Sequence, residues 1–185
     1  MNLLGPATLV TALSAWGQRE ALSKKPDVVA RGRGALPPEG SARLLTGVEV
    51  VLEHVPHLVA RLLLSEPLAD AEQGVIIAEF DPEDANALLL HCGRALAECA
   101  ERILTDETQE GRLNRELTET LVSDHRLVCA GQVAADDASR FVGTYVVWDG
   151  WHRAAKWLIA TRDGSTDRLS AYLIKTKHPL VQLST

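Results

Sequence analysis

The segment Trp148–Arg153 (Trp-Asp-Gly-Trp-His-Arg) contains the residue types that a phosphate-binding or acid–base site requires. A histidine and a carboxylate can transfer protons to and from a reacting group. An arginine presents a planar fork of donors that fits two phosphate oxygens. A glycine allows a sharp turn and a close approach of a ligand to the backbone. We therefore expect any chemistry of this chain to take place in this segment.

The flanking sequence predicts how the segment is positioned. Val142–Trp148 is rich in β-branched and aromatic residues and predicts a strand, as does Leu169–Ile174. Trp151–Thr161 has a helical pattern. Gly150 would then form an elbow between strand and helix. The first turn of a helix presents unpaired N–H groups and the positive end of the helix dipole, which together bind phosphate.

These expectations assign a role to each residue of the elbow. We predict Asp149 and His152 as the catalytic pair, with Asp149 capping the helix, orienting His152 or holding a Mg²⁺ that accompanies a nucleotide. Apart from that, the sequence predicts no metal site. The residues predicted to bind the phosphate are Gly150, Trp151, His152, Arg153 and Lys156.

The pattern Asp-Gly-x-His-Arg, followed by Ala154-Ala155, resembles the signature of the ParB/sulfiredoxin-like superfamily. The resemblance extends from Val142 to Ile174. It implies binding of nucleotide phosphates at the elbow, since members include nucleotide-dependent partition proteins, sulfiredoxins and free-serine kinases. Trp151 stands where sulfiredoxins have their nucleophilic cysteine, so their chemistry does not carry over. The kinase-like members need an upstream carboxylate base, and the sequence does not choose among Glu119, Asp124, Asp136 and Asp137.

The aromatic residues of this region allow two interpretations. Tyr145, Trp148 and Trp151 could wall a pocket for a base or sugar. Alternatively, the tryptophans fill a core in which only 4% of all residues are aromatic.

The rest of the chain has mainly helical periodicity. We predict a helix that starts with Pro6 in its first turn and runs to Trp16, and a basic loop over Ser23–Gly40. The further predicted elements are a helix over 44–62 interrupted at Pro56, a strand over Val75–Phe80, a helix capped by Asp81 that runs to Leu104, an outer helix over 107–122 and a strand over His125–Val133.

These elements predict an α+β fold in a single domain, residues 1–185. A helical N-terminal two-thirds would pack on a small C-terminal mixed β-sheet that contains the strand–Asp-Gly-x-His-Arg–helix–strand unit. We divide the domain into an N-terminal helix with its basic loop (1–40), a mainly helical part (41–122) and a ParB/sulfiredoxin-like β-α-β portion (123–185).

Composition limits the classes of function. The formal net charge of −6 argues against nucleic acid as a partner. No apolar stretch approaches the roughly 18 residues of a membrane span. The three cysteines form no CxxC pair, and we expect them to be buried thiols in a reducing, cytoplasmic compartment.

Two hypotheses of function follow. The first is the binding of a nucleotide or another phosphate-bearing small molecule at the elbow, with phosphoryl transfer or nucleotide hydrolysis as a further step. The second is a non-catalytic interaction or regulatory protein that contacts a protein partner, or a second copy of itself, through residues 41–122. In that case the elbow is structural.

Overall fold

The computed structural model describes residues 1–24, 41–68, 74–108 and 125–178. Within these residues a six-stranded mixed sheet forms the centre of the molecule. The strands are β1 (Asn2–Ala7), β2 (Val75–Phe80), β3 (Leu88–Leu90), β4 (Leu127–Val133), β5 (Phe141–Asp149) and β6 (Leu169–Thr176), and they lie side by side in the order β1-β2-β6-β4-β5-β3.

Helices cover both faces of this sheet. The described α-helices are α1 (Leu9–Lys24), α2 (Ser41–His54), α3 (Pro56–Leu64), α4 (Leu96–Leu104) and α5 (Trp151–Arg162). Helices α1, α2 and α3 pack on one face, where Trp16 and Val59 join Trp148 and Tyr172 in one apolar cluster. Helices α4 and α5 pack on the other face in a second cluster. The two clusters make the described molecule a three-layer α/β/α arrangement.

Strand directions place the segment Trp148–Arg153 at one end of the strands of the sheet. β5 runs antiparallel to β4 and parallel to β3. The register pairs Asp149 with Val128 and Val147 with Leu90. The carboxyl ends of β3 and β5 therefore lie beside the amino end of β4. We call this the elbow edge, because Gly150 follows β5 there.

The predicted fold class is wrong. The chain is a mixed α/β protein in which helices do not dominate the N-terminal two-thirds. Three of the sheet's strands, β1, β2 and β3, come from that part of the chain. The sheet is therefore assembled from the whole described chain and is not a C-terminal unit on which a helical part packs.

The start of the chain explains part of this error. Pro6 lies in the edge strand β1 and not in a helix, a position that proline tolerates because an edge residue need not donate to a neighbouring strand. The first helix begins at Leu9, where the Oγ1 atom of Thr8 accepts a hydrogen bond from the backbone N–H of Thr11 at 3.0 Å. It continues well beyond Trp16, to Lys24.

The predicted helix from Asp81 to Leu104 is confirmed only over its last part, Leu96–Leu104, and is wrong before it. Asp81 does cap a helical turn, but that turn is a short 3₁₀ helix, Pro82–Ala87. Leu88–Leu90 then pair in parallel with Tyr145–Val147 as β3. This pairing overrides a sequence that favours helix, because three leucines gain more from burial in the sheet than from helix propensity. His91 consequently lies at the end of a strand.

Other predicted elements are confirmed. The second helix is interrupted as expected, and α3 restarts with Pro56 in its first turn. Strands β2, β4, β5 and β6 and helix α5 lie where the sequence predicts them, with ends that differ by a few residues. The predicted helix over 107–122 and most of the basic loop over Ser23–Gly40 lie outside the described residues.

The described helices include no candidate for a transmembrane segment, since none combines the required length with the required apolar character. Cys99 and Cys129 are buried as predicted, whereas Cys92 lies exposed in the turn after β3.

Candidate functional site

Gly150 forms the turn between β5 and α5. Its φ angle of 87° lies in the left-handed region that favours glycine. The Ala154 N–H donates to the Gly150 carbonyl at 3.0 Å and so closes the first turn of α5. The amides of residues 151–153 precede this bond and stand outside the helical ladder, and the cap residue has no side chain to accept from them. The turn thus has the amide arrangement that the sequence predicts.

Arg153 packs directly against this turn. A Cβ atom added to Gly150 would lie 2.6 Å from Nη2 of Arg153 and 2.5 Å from Cδ2 of Leu127. Both terminal nitrogens of Arg153 are buried. The guanidinium therefore supports the elbow from within the fold and does not extend into an open cleft. The absence of a side chain at residue 150 is what allows this packing.

Asp149 is bound by an arginine from the opposite end of the chain. Nε of Arg19 on α1 donates to Oδ2 of Asp149 in a buried ion pair, and 130 residues separate the two. The sequence analysis did not identify Arg19. A single arginine on an amphipathic helix has no local signal of a role, because this contact exists only once α1 packs on the sheet.

The other predicted site residues lie around the first two turns of α5. His152 is buried, and its ring centre lies 5.5 Å from that of Trp151. The side chain of Trp151 is 37% exposed. Lys156 is exposed in the second turn, beyond the amides of the elbow. The structure thus gathers Gly150, His152 and Arg153 at the elbow and leaves Lys156 farther along the helix.

A row of rings and cations extends from the elbow to α3. His91 stacks on Trp148 with a centroid distance of 6.3 Å and meets Trp151 edge-on at 5.7 Å. The guanidinium of Arg61 lies over the ring of Trp148, with Cζ 5.9 Å from the ring centre. We call Arg61, His91, Trp148 and Trp151 the aromatic–cationic row. The sequence analysis considered Trp148 and Trp151 but missed Arg61 and His91.

The surroundings of His91 favour its neutral form. Burial lowers its pKa most, and the nearby charges of Arg61 and His57 lower its pKa further. The imidazole therefore gains a proton less readily than a free histidine. An anion placed beside it would act in the opposite direction.

Two earlier suggestions do not fit these positions. Tyr145 packs edge-on against Phe80, 5.1 Å between centroids, in the cluster on the α4–α5 face, so it does not share a pocket with Trp148. Asp136 and Asp137 lie in the turn between β4 and β5, at the far end of β5 from the elbow. Neither can serve as a base at the elbow. Glu119 and Asp124 lie outside the described residues.

Cys129 lies close to Asp149 and Arg153, but it is unsuited to nucleophilic chemistry. Burial raises its pKa strongly, and the charge of Asp149 raises its pKa further. Arg153 and Arg19 act in the opposite direction with smaller effect. The thiol therefore stays protonated and packs as a small apolar side chain.

The described residues offer no prepared metal site. No three His, Cys, Asp or Glu side chains lie close enough together there to hold an ion. Asp149, the predicted Mg²⁺ ligand, has its Oδ2 engaged by Arg19. The residues at the elbow thus do not fit a resident metal ion.

Comparisons of this chain with protein-family models, with curated proteins and with solved structures give no match. The resemblance to the ParB/sulfiredoxin-like superfamily therefore stays a prediction.

Proposed function

We propose that the protein binds a nucleotide or another phosphate-bearing small molecule at the elbow. The observation that carries the proposal is the turn at Gly150. Its left-handed cap leaves the amides of residues 151–153 outside the helical ladder, with Arg153 packed against the same turn. Amides at a helix N-terminus and a guanidinium are the groups that phosphate oxygens accept from.

Cationic side chains at the elbow edge support this proposal. Arg19 reaches the elbow from α1, and Arg61 and His91 lie along the aromatic–cationic row. They come from separate parts of the chain, so their convergence is not a consequence of local sequence. The charge of Arg61, beside Trp148, favours an anionic ligand over a neutral one.

The burial of the Arg153 guanidinium determines which groups the ligand would contact first. The first-turn amides are the primary contacts. A phosphate reaches the buried terminal nitrogens of Arg153 only when neighbouring side chains move. We restrict the proposal to binding, because the Asp149 carboxylate that a phosphoryl-transfer step would use is held by Arg19. Phosphoryl transfer, nucleotide hydrolysis and a Mg²⁺ brought by the nucleotide stay predictions.

Calorimetric titration of the full chain tests the proposal. Inorganic phosphate, ADP, ATP and CTP, the nucleotides with and without Mg²⁺, are titrated into the wild type, Arg153→Ala and Arg162→Ala. Arg162 is the matched control, because it lies in the last turn of the same helix and bonds to the Ala97 carbonyl.

We expect Arg153→Ala to weaken binding by about tenfold or more, because it removes the positive charge beside the first-turn amides and the side chain that packs against the turn. Arg162→Ala should leave binding unchanged. Thermal unfolding of each variant establishes that it is folded. Absence of wild-type binding, or equal binding by wild type and a folded Arg153→Ala protein, contradicts the proposal.

The alternative of a protein-interaction surface is favoured by one observation. Leu52 on α2 and Leu63 and Leu64 on α3 are 47%, 50% and 63% exposed. These leucines lie within the predicted interaction region, residues 41–122. Light scattering of the wild type and of a Leu63→Ser/Leu64→Ser variant tests self-association. A wild-type protein that is monomeric at all accessible concentrations contradicts self-association through this surface.

A further inference from the structure

Two buried donors beside the elbow have no acceptor. The indole Nε1–H of Trp148, a residue only 2% exposed, has no hydrogen-bond partner among the described residues. The same is true of Nε of Arg61, whose guanidinium lies over the Trp148 ring. Buried donors in native proteins almost always have a hydrogen-bond acceptor. Two neighbouring donors without one therefore require an explanation.

Two histidines lie close to these donors. His91 stacks on Trp148, and His57 on α3 is close enough to lower the pKa of His91. Neutral histidine can accept one hydrogen bond, but its ring here stacks on the indole at an interplanar angle of 25°. The cluster therefore needs an acceptor with negative charge, which compensates Arg61 and satisfies the orphan N–H groups.

The two donors belong to side chains that lie against each other, since Cζ of Arg61 is 5.9 Å from the centre of the Trp148 ring. A phosphate or carboxylate group with two or three oxygens has more than enough acceptors for both donors.

We propose that Arg61 and Trp148 form a second anion subsite, which binds a second anionic group of the ligand whose phosphate lies at the elbow. This inference rests on the proposed function. His91 and Trp151 connect the two positions, since successive ring centres from Trp148 through His91 to Trp151 are 6.3 and 5.7 Å apart. The ligand class is therefore a diphosphate, or a phosphate ester that carries a further anionic group.

NMR of the ¹⁵N-labelled full chain, titrated with pyrophosphate or inorganic phosphate, tests the inference. The chain has four tryptophans, so its spectrum contains four indole N–H signals. Trp157 donates to the Asp167 carbonyl in the cluster on the opposite face of the sheet, so its signal serves as the internal reference. Trp148→Phe assigns the Trp148 signal. The amides of residues 151–153 report on the elbow independently.

We expect pyrophosphate to shift the Trp148 indole signal downfield together with the elbow amides, and inorganic phosphate to shift mainly the elbow amides. Arg61→Gln should weaken pyrophosphate binding by about tenfold and change phosphate binding less than about twofold. Arg140→Gln is the control, because Arg140 pairs with Asp136 at the opposite end of β5.

The failures of the two proposals are distinguishable. If the elbow amides shift but the Trp148 indole does not, or if Arg61→Gln binds pyrophosphate as tightly as the wild type, the second subsite is wrong and the elbow site stands. If neither probe shifts the elbow amides, the proposed function itself is wrong.

Discussion

At the residue scale, Gly150 serves two requirements at one position. Its backbone adopts a left-handed φ of 87°, and its missing Cβ leaves space for Arg153 and Leu127. A glycine with only the first requirement offers a direct comparison. Gly164 has a φ of 97° and no atom within 4 Å of an added Cβ.

We therefore predict that Gly150→Ala destabilises the protein more than Gly164→Ala does. Both lose about 1–2 kcal/mol to the left-handed backbone. Only Gly150→Ala adds overpacking, on the order of 1–3 kcal/mol. Urea denaturation measures the two free energies of unfolding. Equal losses would show that Arg153 moves aside without cost.

The Arg19–Asp149 ion pair leads to a second prediction. Arg19→Met leaves a buried carboxylate without its Arg19 partner, and breaking such a pair costs about 3–5 kcal/mol. Arg140→Met removes a pair whose side chains are largely exposed, and it should cost less than about 1 kcal/mol. Chemical denaturation of both variants checks the contrast. Adding Asp149→Leu to Arg19→Met should recover part of the loss, because neither charge of the pair then remains.

The lowered pKa of His91 predicts how stability depends on pH. In the unfolded chain His91 takes up a proton near its ordinary pKa of about 6.5, before the folded protein does. Acidification through that pH therefore favours the unfolded state, and the stability rises again as pH increases. The groups that face His91 are Arg61 and His57 from α3 and Trp148 and Trp151 from the elbow.

His91→Gln should flatten this part of the stability curve. Denaturation midpoints measured between roughly pH 5 and pH 7 compare this variant with the wild type. A wild-type curve with the same slope as His91→Gln would contradict the assigned direction.

At the element scale, helices α1 and α2 cross in backbone contact. A Cβ on Gly17 would overlap the carbonyl of Gly47, and a Cβ on Gly47 would overlap Ser14. Gly17 and Gly47 therefore fix how closely the helices approach. Because α1 carries Arg19, this crossing also determines whether that side chain reaches Asp149.

We predict that Gly17→Ala pushes the helices apart and destabilises the protein by about 1–3 kcal/mol. Gly5→Ala is the control, since an added Cβ there meets no atom within 4 Å. Calorimetric unfolding measures the stability of each variant. Titration with phosphate measures the affinity of the proposed site at the elbow in the same variants. Unchanged stability in Gly17→Ala would mean that the crossing tolerates a wider separation.

Individual elements also show how far the sequence could predict the structure. The strand, the glycine elbow and helix α5 are determined by local sequence and lie where the sequence predicts them. Leu88–Leu90 favours a helix locally and becomes β3 only through pairing with β5. Because that prediction failed, His91 was assigned to a helix and its stacking on Trp148 could not be foreseen.

At the scale of the whole molecule, both faces of the sheet are covered, and β6 and β4 lie at its centre. Their residues are almost entirely buried, whereas Leu3 and Leu4 of the edge strand β1 are 47% and 58% exposed. The number of strands and the order of the sheet depend on pairings between distant segments. This is why the predicted α+β class failed although most of the strands were identified.

No short sequence motif predicts the contact between Arg19 and Asp149, which lie 130 positions apart in the chain. During synthesis, the ribosome releases α1 long before the elbow exists. The proposed phosphate binding therefore requires a chain that extends beyond α5. Contacts between such distant segments form slowly. Binding of a phosphate probe would thus report completed folding, because a nascent chain that ends before β5 contains Arg19 without Asp149.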